Sequence, residues 1–502
     1  MRRMAFLFSI ALSQSIFQSD ILFAGDAVPV RPSQEKNTGQ GADGASRARS
    51  DKPNILMVVM DTCRADHFSA YGYKRPTTPN FDSLARQGIF FESAYSQTNW
   101  TLPSFASFLT GKYPRSIGMF DAGKRRTDFD YIDPMLSEAE TTLPEALKKA
   151  GYRTAGFFSG RFNSPAYGFD QGFDLCRHYG NNSSMRRESG EPDFNYLPEA
   201  FKWMEQNKDA PFFIILHSMR VHRPYLPPNR FLKPYAGDYK GILASAWFSK
   251  DVLASMKKDD SGWSFSSGDS AAGSGSSRKA GRLPEKDKVI RLSQADMDYI
   301  VARYDASLSY ADEFIGELAG WVREFSPDNT IMIVMADHGE GVGDHGGILH
   351  CTDPPRLYQE LIHVPLAIYI PPKWMKTGVA VVRQPVELID LMPTILDLVQ
   401  ASGPLSGMQG KSLVGVIKGE KKEEADRPVF AETLGYGVHV RSVKSGAWKL
   451  IRAESQYGVA PKIELYDLTS DPSEAHDLAP QKPEVVRGLL DRLSAWGNGN
   501  EK

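Results

Sequence analysis

The hydrophobic pattern of the chain alternates between two kinds of segment. Some short runs are apolar almost throughout, which is typical of strands covered on both faces of a sheet. They are "NILMVVMD" (54–61), "FFIILH" (212–217), "TIMIVMADH" (330–338) and "VPLAIYI" (364–370). Amphipathic segments with helical spacing lie between them, such as "LPEALKKAGY" (143–152) and "DASLSYADEFIGELAGWV" (305–322). This alternation predicts an α/β fold in which a mostly parallel sheet is sandwiched by helices.

The pattern changes near residue 425. The segments "HVRSVKSGAWKLIR" and "IELYDLTSDPSEAHDLA" have the character of hairpin strands, and "KPEVVRGLLDRLSAW" that of a final helix. We therefore expect a main α/β domain over residues 53–424 and a smaller C-terminal α+β part over residues 425–502.

Three segments interrupt this organisation. Residues 1–27 start with Arg2 and Arg3, continue with an apolar run and end in small residues, which predicts a signal peptide. The mature protein is thus expected to be exported, periplasmic or secreted, and to associate with a membrane only if the signal is uncleaved. Residues 28–52 are polar and rich in Gly and Ser, which predicts a disordered linker. Residues 257–282 have a similar composition and predict a flexible insertion in the main domain.

Composition excludes some classes of partner. The chain has 502 residues, of which 41% are hydrophobic and 24% charged, and a net charge of -2. This balance is ordinary for a globular protein and provides no basic surface, so nucleic acid is not an expected partner. The three cysteines, Cys63, Cys176 and Cys351, are far apart, so we expect neither a disulfide scaffold nor a cysteine metal site. The oligomeric state stays open.

Three of the apolar runs end in residues that can bind a metal. Asp61 follows the first run, His217 ends the second, and Asp337 and His338 follow the third. In a parallel sheet, ligands bind beyond the carboxyl ends of the strands. An aspartate after a strand can also cap the next helix, so Asp61 alone leaves both interpretations open. Adjacent Asp337 and His338 before a glycine favour a metal site, because carboxylates and imidazoles are both metal ligands.

The segment "NWTLPSFASFLTGKYP" (99–114) places two hydroxyls around a proline before a helix-like run. One interpretation is a simple helix cap, with the helix beginning near Ser104 and Ser104 as the cap or a support. The other is that Thr101 is a nucleophile at a helix N-terminus, where the helix would add positive potential for an anionic ester.

The order and spacing of several blocks resemble the sulfatases of the alkaline-phosphatase superfamily. The resemblance covers about residues 54 to 480 and implies the alkaline-phosphatase/sulfatase-like fold. The blocks are the segment beginning "NILMVVMDTCRADHFSAYGY", then "TLPSFASFLTGKYP", "HSMRVHRPYLPP", "ADHGEGVGDHG", "VELIDLMPTILDL", "GKSL" and "KLIRAESQYGVAPKIELYDLTSDPSEAHDLA".

The resemblance implies a single divalent cation, with Ca or Mn favoured and Mg or Zn as alternatives. It would be held by Asp61, Asp337, His338 and Thr101, and Thr101 would also be the nucleophile. The remaining implied residues have two roles. Those assigned to catalysis are His222, His345 and His350. Those assigned to substrate binding are Ser104, Lys112, Arg161 and His217.

The chain departs from the sulfatase pattern at the nucleophile. Sulfatases carry Cys or Ser, oxidised to formylglycine, in a Cys/Ser-x-Pro-Ser-Arg motif, whereas here the motif begins with Thr101 and ends with Phe105. Oxidation of a threonine would give a ketone instead of the aldehyde. The family's Gly-Lys-Trp-His segment is also replaced, by residues 157–174. Other branches of the superfamily use an unmodified threonine on phosphate esters.

Three functions therefore stay open. The preferred one is a metal-dependent hydrolase of a sulfate, phosphate or phosphonate ester that uses Thr101. The substrate would be a small-molecule, glycan or lipid ester. The alternatives are a transferase that passes the same group to an acceptor alcohol, and an inactive binding protein that keeps the fold.

Overall fold

The structure is a computed structural model that describes residues 52–120, 124–125, 131–132, 134–179, 196–244, 250–266, 289–350, 355–401, 407–435, 437–455 and 460–499. All of these residues belong to one compact unit, residues 49–502. The predicted signal peptide and all but the last residue of the predicted linker lie outside the described residues. Among the residues described, no helix is both long and apolar enough to span a membrane.

The strands are, in chain order, β1 (Asn54–Met60), β2 (Ile89–Phe91), β3 (Ala94–Tyr95), β4 (Lys124–Arg125), β5 (Tyr131–Ile132), β6 (Arg153–Phe158), β7 (Leu175–His178), β8 (Phe212–Ser218), β9 (Lys257–Asp259), β10 (Gly262–Ser266), β11 (Val289–Arg291), β12 (Thr330–Ala336), β13 (His363–Val364), β14 (Leu366–Tyr369), β15 (Val381–Val382), β16 (Val386–Glu387), β17 (Val429–Gly435), β18 (Val438–Ser445), β19 (Trp448–Ser455) and β20 (Lys462–Asp467).

The α-helices are α1 (Pro79–Gln87), α2 (Thr101–Thr110), α3 (Leu143–Lys149), α4 (Leu197–Gln206), α5 (Asn229–Ala236), α6 (Lys250–Ser255), α7 (Gln294–Phe325), α8 (Gln359–Ile362), α9 (Leu391–Leu398), α10 (Val414–Ile417) and α11 (Pro483–Gly499).

The main sheet has eight strands in the order β15-β2-β14-β12-β1-β8-β6-β7. From β12 to β7 every neighbouring pair is parallel, and only β14 runs antiparallel to its two neighbours. All residues of β1, β8 and β12 are buried, which requires cover on both faces of the sheet. Helix α7 packs against α1, α5 and β12, and α2 packs against α3 and α9. The predicted α/β fold with a mostly parallel sheet is confirmed.

The C-terminal region forms its own antiparallel sheet in the order β17-β18-β19-β20, with α11 packed on β18 and β19. Its apolar side chains include Phe430, Leu450, Leu465 and Trp496, which form one buried cluster. This confirms that a C-terminal sheet part exists, as the change in pattern near residue 425 predicts.

The first residues of the predicted insertion at 257–282 form regular structure. Strands β9 and β10 pair with each other, and β10 also pairs with β11. The composition did not predict these strands, because the stretch is mostly polar. Two of its few apolar side chains, Trp263 and Phe265, are nevertheless buried in the structure. Residues 267–282 of the predicted insertion lie outside the described residues.

Candidate active site

Four candidate side chains meet at the carboxyl end of the main sheet. Strand β1 pairs in parallel with both β8 and β12, so the ends of these three strands lie side by side. Asp61 directly follows β1, and His217 is the second-last residue of β8. Asp337 and His338 directly follow β12. All four side chains are buried. One ligand atom each of Asp61, His217 and Asp337 lies within 4.8 Å of the others.

Backbone contacts orient the two imidazoles of this cluster. His338 Nδ1 lies 2.9 Å from the carbonyl oxygen of Gly339, and His217 Nδ1 lies 2.7 Å from that of Ser159. A carbonyl only accepts, so each Nδ1 carries the proton and donates it, and in the neutral ring Nε2 keeps its lone pair. In proteins, an imidazole that binds a metal through one nitrogen is commonly oriented by a hydrogen bond from its other nitrogen.

The lone pairs of the cluster point at one another. His217 Nε2 is 3.3 Å from Asp61 Oδ2, and His338 Nε2 is 3.6 Å from Asp61 Oδ1 and from Asp337 Oδ2. Asp61 Oδ1, Asp337 Oδ2 and His217 Nε2 are buried without a hydrogen-bond partner. Buried acceptors that converge without donors are costly, and a cation among them removes that cost. The donor set therefore fits a divalent cation held by Asp61, Asp337 and His338 together with His217.

The two carboxylates differ in their acidity. Burial raises the pKa of Asp337 well above its usual value, and the nearby Asp61 charge raises it further. Burial also opposes ionisation of Asp61, but in the acidic range where Asp61 titrates, a hydrogen bond from His217 and positive charge on the surrounding histidines hold the pKa of Asp61 below the usual range. A bound divalent cation would favour the ionised form of both groups.

Thr101 lies next to this cluster. Its Oγ1 is 3.3 Å from His338 Nε2, and the residue is 7% exposed. Helix α2 begins at Thr101 itself, after Trp100 in extended conformation, so the hydroxyl lies in the first turn of the helix. The unpaired N–H groups of a first helical turn create positive potential where an anion would bind.

The predicted helix start near Ser104 is wrong. Pro103 suggested a turn before the helix, but a proline is tolerated in the first helical turn because its missing N–H has no intrahelical partner there. Ser104 lies inside the helix and donates from Oγ to the carbonyl of Asp337 at 2.7 Å. Ser104 is 1% exposed, so it is not accessible to a substrate. Its hydrogen bond instead holds the backbone of Asp337 in place.

Two further histidines continue from His338: His350 lies beside it, and His222 lies beside His350. The ring centroid of His350 is 4.6 Å from that of His338 and 5.5 Å from that of His222. His350 Nδ1 is 3.0 Å from Glu340 Oε1, and His222 Nδ1 is 3.0 Å from the carbonyl of Arg223. Burial lowers the pKa of His222 to about 4, so this ring is neutral at pH 7.

Three candidates are not brought into the cluster. Lys112 lies beyond the far end of the ten-residue helix α2, which rises about 15 Å, and its Nζ is 2.6 Å from Glu140 Oε2. His345 binds Glu360 and the carbonyl of Glu474 with its two ring nitrogens. The exposed Arg161 donates to the Tyr167 hydroxyl at 2.9 Å. These positions depend on tertiary contacts that sequence spacing does not reveal.

Three residues that were not predicted as site residues contact histidines of the site. The ring of Phe105 stands edge-on to His217, with centroids 5.1 Å apart. The side-chain amide of Asn163 is 2.7 Å from His217 Nδ1, and because this nitrogen carries a proton, the amide must present its oxygen to it. Glu340 is fully buried and holds His350. Asn163 lies within residues 157–174, which replace the family's Gly-Lys-Trp-His segment. That replacement was the one sign in the sequence that this segment could reach the site.

Comparisons with known proteins agree with this arrangement. The Sulfatase family model matches residues 53–401, and a model described as N-sulphoglucosamine sulphohydrolase, C-terminal, matches residues 349–497. An N-acetylglucosamine-6-O-sulfatase of Bacteroides thetaiotaomicron is 25% identical over 493 residues, which cover 86% of this chain and 83% of the relative.

Solved structures share the fold. A phosphonate monoester hydrolase of Agrobacterium radiobacter has a TM-score of 0.67 at 19% identity, over 89% of this chain and 96% of that one. A protein in complex with its substrate D-glucosamine-2-N,6-O-disulfate has a TM-score of 0.64 at 21% identity, over 90% of this chain and 98% of that one. The predicted resemblance is confirmed: the chain belongs to the sulfatase family, in the alkaline-phosphatase superfamily.

Proposed function

We propose that this chain hydrolyses a sulfate, phosphate or phosphonate ester with the unmodified hydroxyl of Thr101 as the nucleophile. The observation that carries the proposal is the position of Thr101 Oγ1, which lies in the first turn of α2 and 3.3 Å from His338 Nε2. Family membership supports the class of reaction, and the phosphonate monoester hydrolase that shares the fold supports phosphorus esters within the substrate range.

The residues of this chain have distinct roles in the proposed reaction. Asp61, Asp337, His338 and His217 would hold a divalent cation, which when bound supplies positive charge that lowers the pKa of a nearby hydroxyl and neutralises an ester's negative oxygens. The positive end of α2 binds the same anionic group. The cluster lies in a buried site, where such electrostatic contributions are larger than in water.

The covalent step takes place on Thr101. Its Oγ1 forms a bond to the sulfur or phosphorus as the bond to the leaving alcohol breaks, and water then cleaves the threonine ester to release sulfate, phosphate or phosphonate. Thr101 loses its hydroxyl proton as Oγ1 attacks, and the leaving alcohol gains one, so the step needs a base and an acid. His222 is neutral with its proton on Nδ1, so its Nε2 would accept a proton. His350 pairs through Nδ1 with the Glu340 carboxylate, which favours a protonated ring, and its Nε2 would deliver the proton to the leaving oxygen.

The relatives suggest the substrate class. The similar bacterial relative is named for a sulfated amino sugar, and one of the proteins that share the fold was solved with a disulfated glucosamine. We therefore propose an anionic ester of a glycan as the substrate of this chain.

A hydrolysis panel on Thr101 variants tests the mechanism. Sulfate, phosphate, phosphodiester and phosphonate esters would be compared for wild type, Thr101→Ala and the control Thr110→Ala at the other end of the same helix. Loss of the nucleophile is expected to reduce kcat by about 10³-fold or more, with the Thr110 variant close to wild type. Turnover that persists in Thr101→Ala would refute the threonine mechanism.

Cation removal tests the second part of the proposal. The cluster offers two imidazole nitrogens beside two carboxylates, and imidazole suits Mn²⁺ or Zn²⁺ better than the oxygen-preferring Ca²⁺. We expect chelation to abolish hydrolysis and Mn²⁺ or Zn²⁺ to restore it more fully than Ca²⁺ at equal concentration. Full activity after exhaustive chelation, with metal content checked by mass spectrometry, would contradict this.

Export is a further part of the proposal and rests on the sequence of residues 1–27. N-terminal sequencing of protein recovered from the periplasm or medium of the producing cells tests it. A mature chain that begins near residue 28 is expected, and retention of Met1 in a cytosolic fraction would contradict it.

A further inference from the structure

Residues 339–350, the active-site loop, leave the sheet after His338 and carry Glu340 near their start and His350 at their end. The loop folds back on itself through backbone bonds. The N–H of Leu349 donates to Gly341 at 2.7 Å, and Val342 forms an isolated bridge with Ile348. These bonds hold the loop together, so that a contact at its tip can act on both ends.

His345 lies at this tip and makes three contacts outside the loop. Its ring stacks on Tyr358, with centroids 3.6 Å apart and planes inclined by 7°. Nδ1 is 2.8 Å from Glu360 Oε1, and Nε2 is 3.0 Å from the carbonyl oxygen of Glu474. Because both partners only accept hydrogen bonds, both ring nitrogens act as donors and the ring is held in one orientation.

Glu474 belongs to the C-terminal part, in the segment after β20, and is itself firmly held. Its Oε1 is 2.8 Å from Lys449 Nζ, and neither side chain is exposed to solvent. Its other oxygen accepts the N–H of Gln359 at 2.5 Å, at the first residue of α8. The carbonyl that His345 contacts is thus fixed by a buried ion pair and by a helix terminus.

Strained backbone marks both ends of this contact. His345 has φ of 46° and Glu474 has φ of 53°, in the left-handed region that residues other than glycine rarely adopt. Leu349, just before His350, has φ of 80°. Such conformations persist only where the surrounding contacts hold them, and they cluster at functional sites.

We propose that His345 is a positioning residue for the active site: held by Glu360 and by the carbonyl of Glu474 in the C-terminal part, it fixes the active-site loop and so the places of Glu340 and His350. The kinetic consequence of this inference rests on the proposed function, whereas its structural consequence does not.

The variant His345→Asn tests the inference, because asparagine tolerates a positive φ but cannot reach both partners or stack on Tyr358. Amide hydrogen exchange is measured on the full chain. We expect exchange at Gly343 and Leu349 to become at least about 10-fold faster, as the loop opens locally more often. With a substrate, kcat should fall about 10- to 100-fold while KM changes less than about 3-fold, because His350 is misplaced.

The control is His439→Asn. His439 Nε2 is 3.2 Å from Glu432 Oε2. This variant therefore removes a histidine–carboxylate pair that lies within the C-terminal sheet and outside the active-site loop. Exchange in the active-site loop should stay at its wild-type rate. Faster loop exchange in this control, equal to that in His345→Asn, would show a general loosening and overturn the inference.

Glu360→Gln is a milder second variant that keeps the size of the side chain and removes its charge. It should speed loop exchange in the same direction by a smaller factor. Unchanged loop exchange in a folded His345→Asn or Glu360→Gln protein overturns the positioning role. If wild type hydrolyses no ester, the proposed function fails, but the exchange comparison still decides the inference about His345.

Discussion

Thr101 and Phe105 lie one helical turn apart on α2, at the two positions where the sequence is expected to depart from the sulfatase motif. The hydroxyl faces His338 at 3.3 Å, while the Phe105 ring packs on His217, Phe108 and Phe169. An aromatic ring offers no hydrogen bond to a modified nucleophile, but it fixes the imidazole beside it. The two departures from the sulfatase motif are therefore consistent with each other.

Phe105→Ala is expected to lower the free energy of unfolding by about 3–5 kcal/mol. The ring is fully buried, and its removal combines lost transfer energy with a cavity beside His217. Urea denaturation measures the loss. Phe105→Leu, which fills most of the volume, should cost less than about 1.5 kcal/mol. Equal losses for the two variants would contradict the packing role.

Asn163→Ala is expected to weaken Mn²⁺ binding by about 10- to 100-fold, the usual effect of removing a group that orients a metal ligand. Asn163 is buried and its amide is 2.7 Å from His217 Nδ1, so its loss allows that ring to turn. Titration calorimetry on chelated protein measures the affinity. The control Asn207→Ala removes a partner of Arg153 instead, and should bind Mn²⁺ as wild type does. An unchanged affinity in Asn163→Ala would mean that Asn163 does not orient His217.

At the scale of elements, the ends of the three central strands were predictable and the start of helix α2 was not. The runs at β1, β8 and β12 are apolar enough to identify parallel strands, and parallel strands bring their carboxyl ends together. Asp61, His217 and Asp337 therefore meet as their positions predict. Helix α2 began earlier than expected because Pro103 fits both a turn and a first helical turn.

The active-site loop shows the other limit of the sequence. His345 is five residues from Glu340 and five from His350, yet its ring contacts the C-terminal part, while His350 lies beside His338 and binds Glu340. Contacts with Glu474 over more than a hundred residues decide the direction of its ring. No local pattern encodes such a contact, so the family resemblance assigned both His345 and His350 to the active site.

The stabilising effect of His345 should depend on pH. Burial acts against its charge, but the hydrogen bond and charge of Glu360 raise the pKa of His345 above its ordinary value. A raised pKa in the folded state stabilises the protein fully below the unfolded value of about 6.5, and this stabilisation is lost as pH rises through the folded value.

The comparison is the loss of unfolding free energy in His345→Asn at pH 6 and at pH 9. Urea unfolding of wild type and variant should give the larger loss at pH 6. If the loss is the same at both pH values, the charge of the ring contributes nothing to the contact with Glu360.

At the scale of the whole molecule, the C-terminal sheet is joined to the main domain by buried charges. Arg427 NH1 lies 2.7 Å from Asp390 Oδ2, and its NH2 lies 3.4 Å from Glu387 Oε2. The Tyr113 hydroxyl, just beyond α2, donates to Glu387 at 2.9 Å. One network thus connects the C-terminal sheet to the helix that carries Thr101, so the stability of the two parts is coupled.

Arg427→Met removes the positive charge of this network. Among the described residues, Arg427 is the cationic side chain that pairs with both Glu387 and Asp390. At pH 8 we expect a loss of about 3–5 kcal/mol, because two buried carboxylates lose their cation. Burial and the Asp390 charge raise the pKa of Glu387 to about 7. In wild type, the protonated carboxyl is stabilising at low pH, and that contribution is lost as pH rises through about 7.

The loss caused by Arg427→Met should therefore be smaller at pH 5.5, where protonated Glu387 no longer needs a cation. Urea unfolding at both pH values measures it. Arg383→Met is the control, since Arg383 is 70% exposed and 3.6 Å from Glu92, and an exposed pair contributes about 0–1 kcal/mol at either pH. A loss that grows on acidification would mean that the Arg427 charge acts elsewhere, because protonation of Glu387 can only reduce the repulsion that the arginine balances.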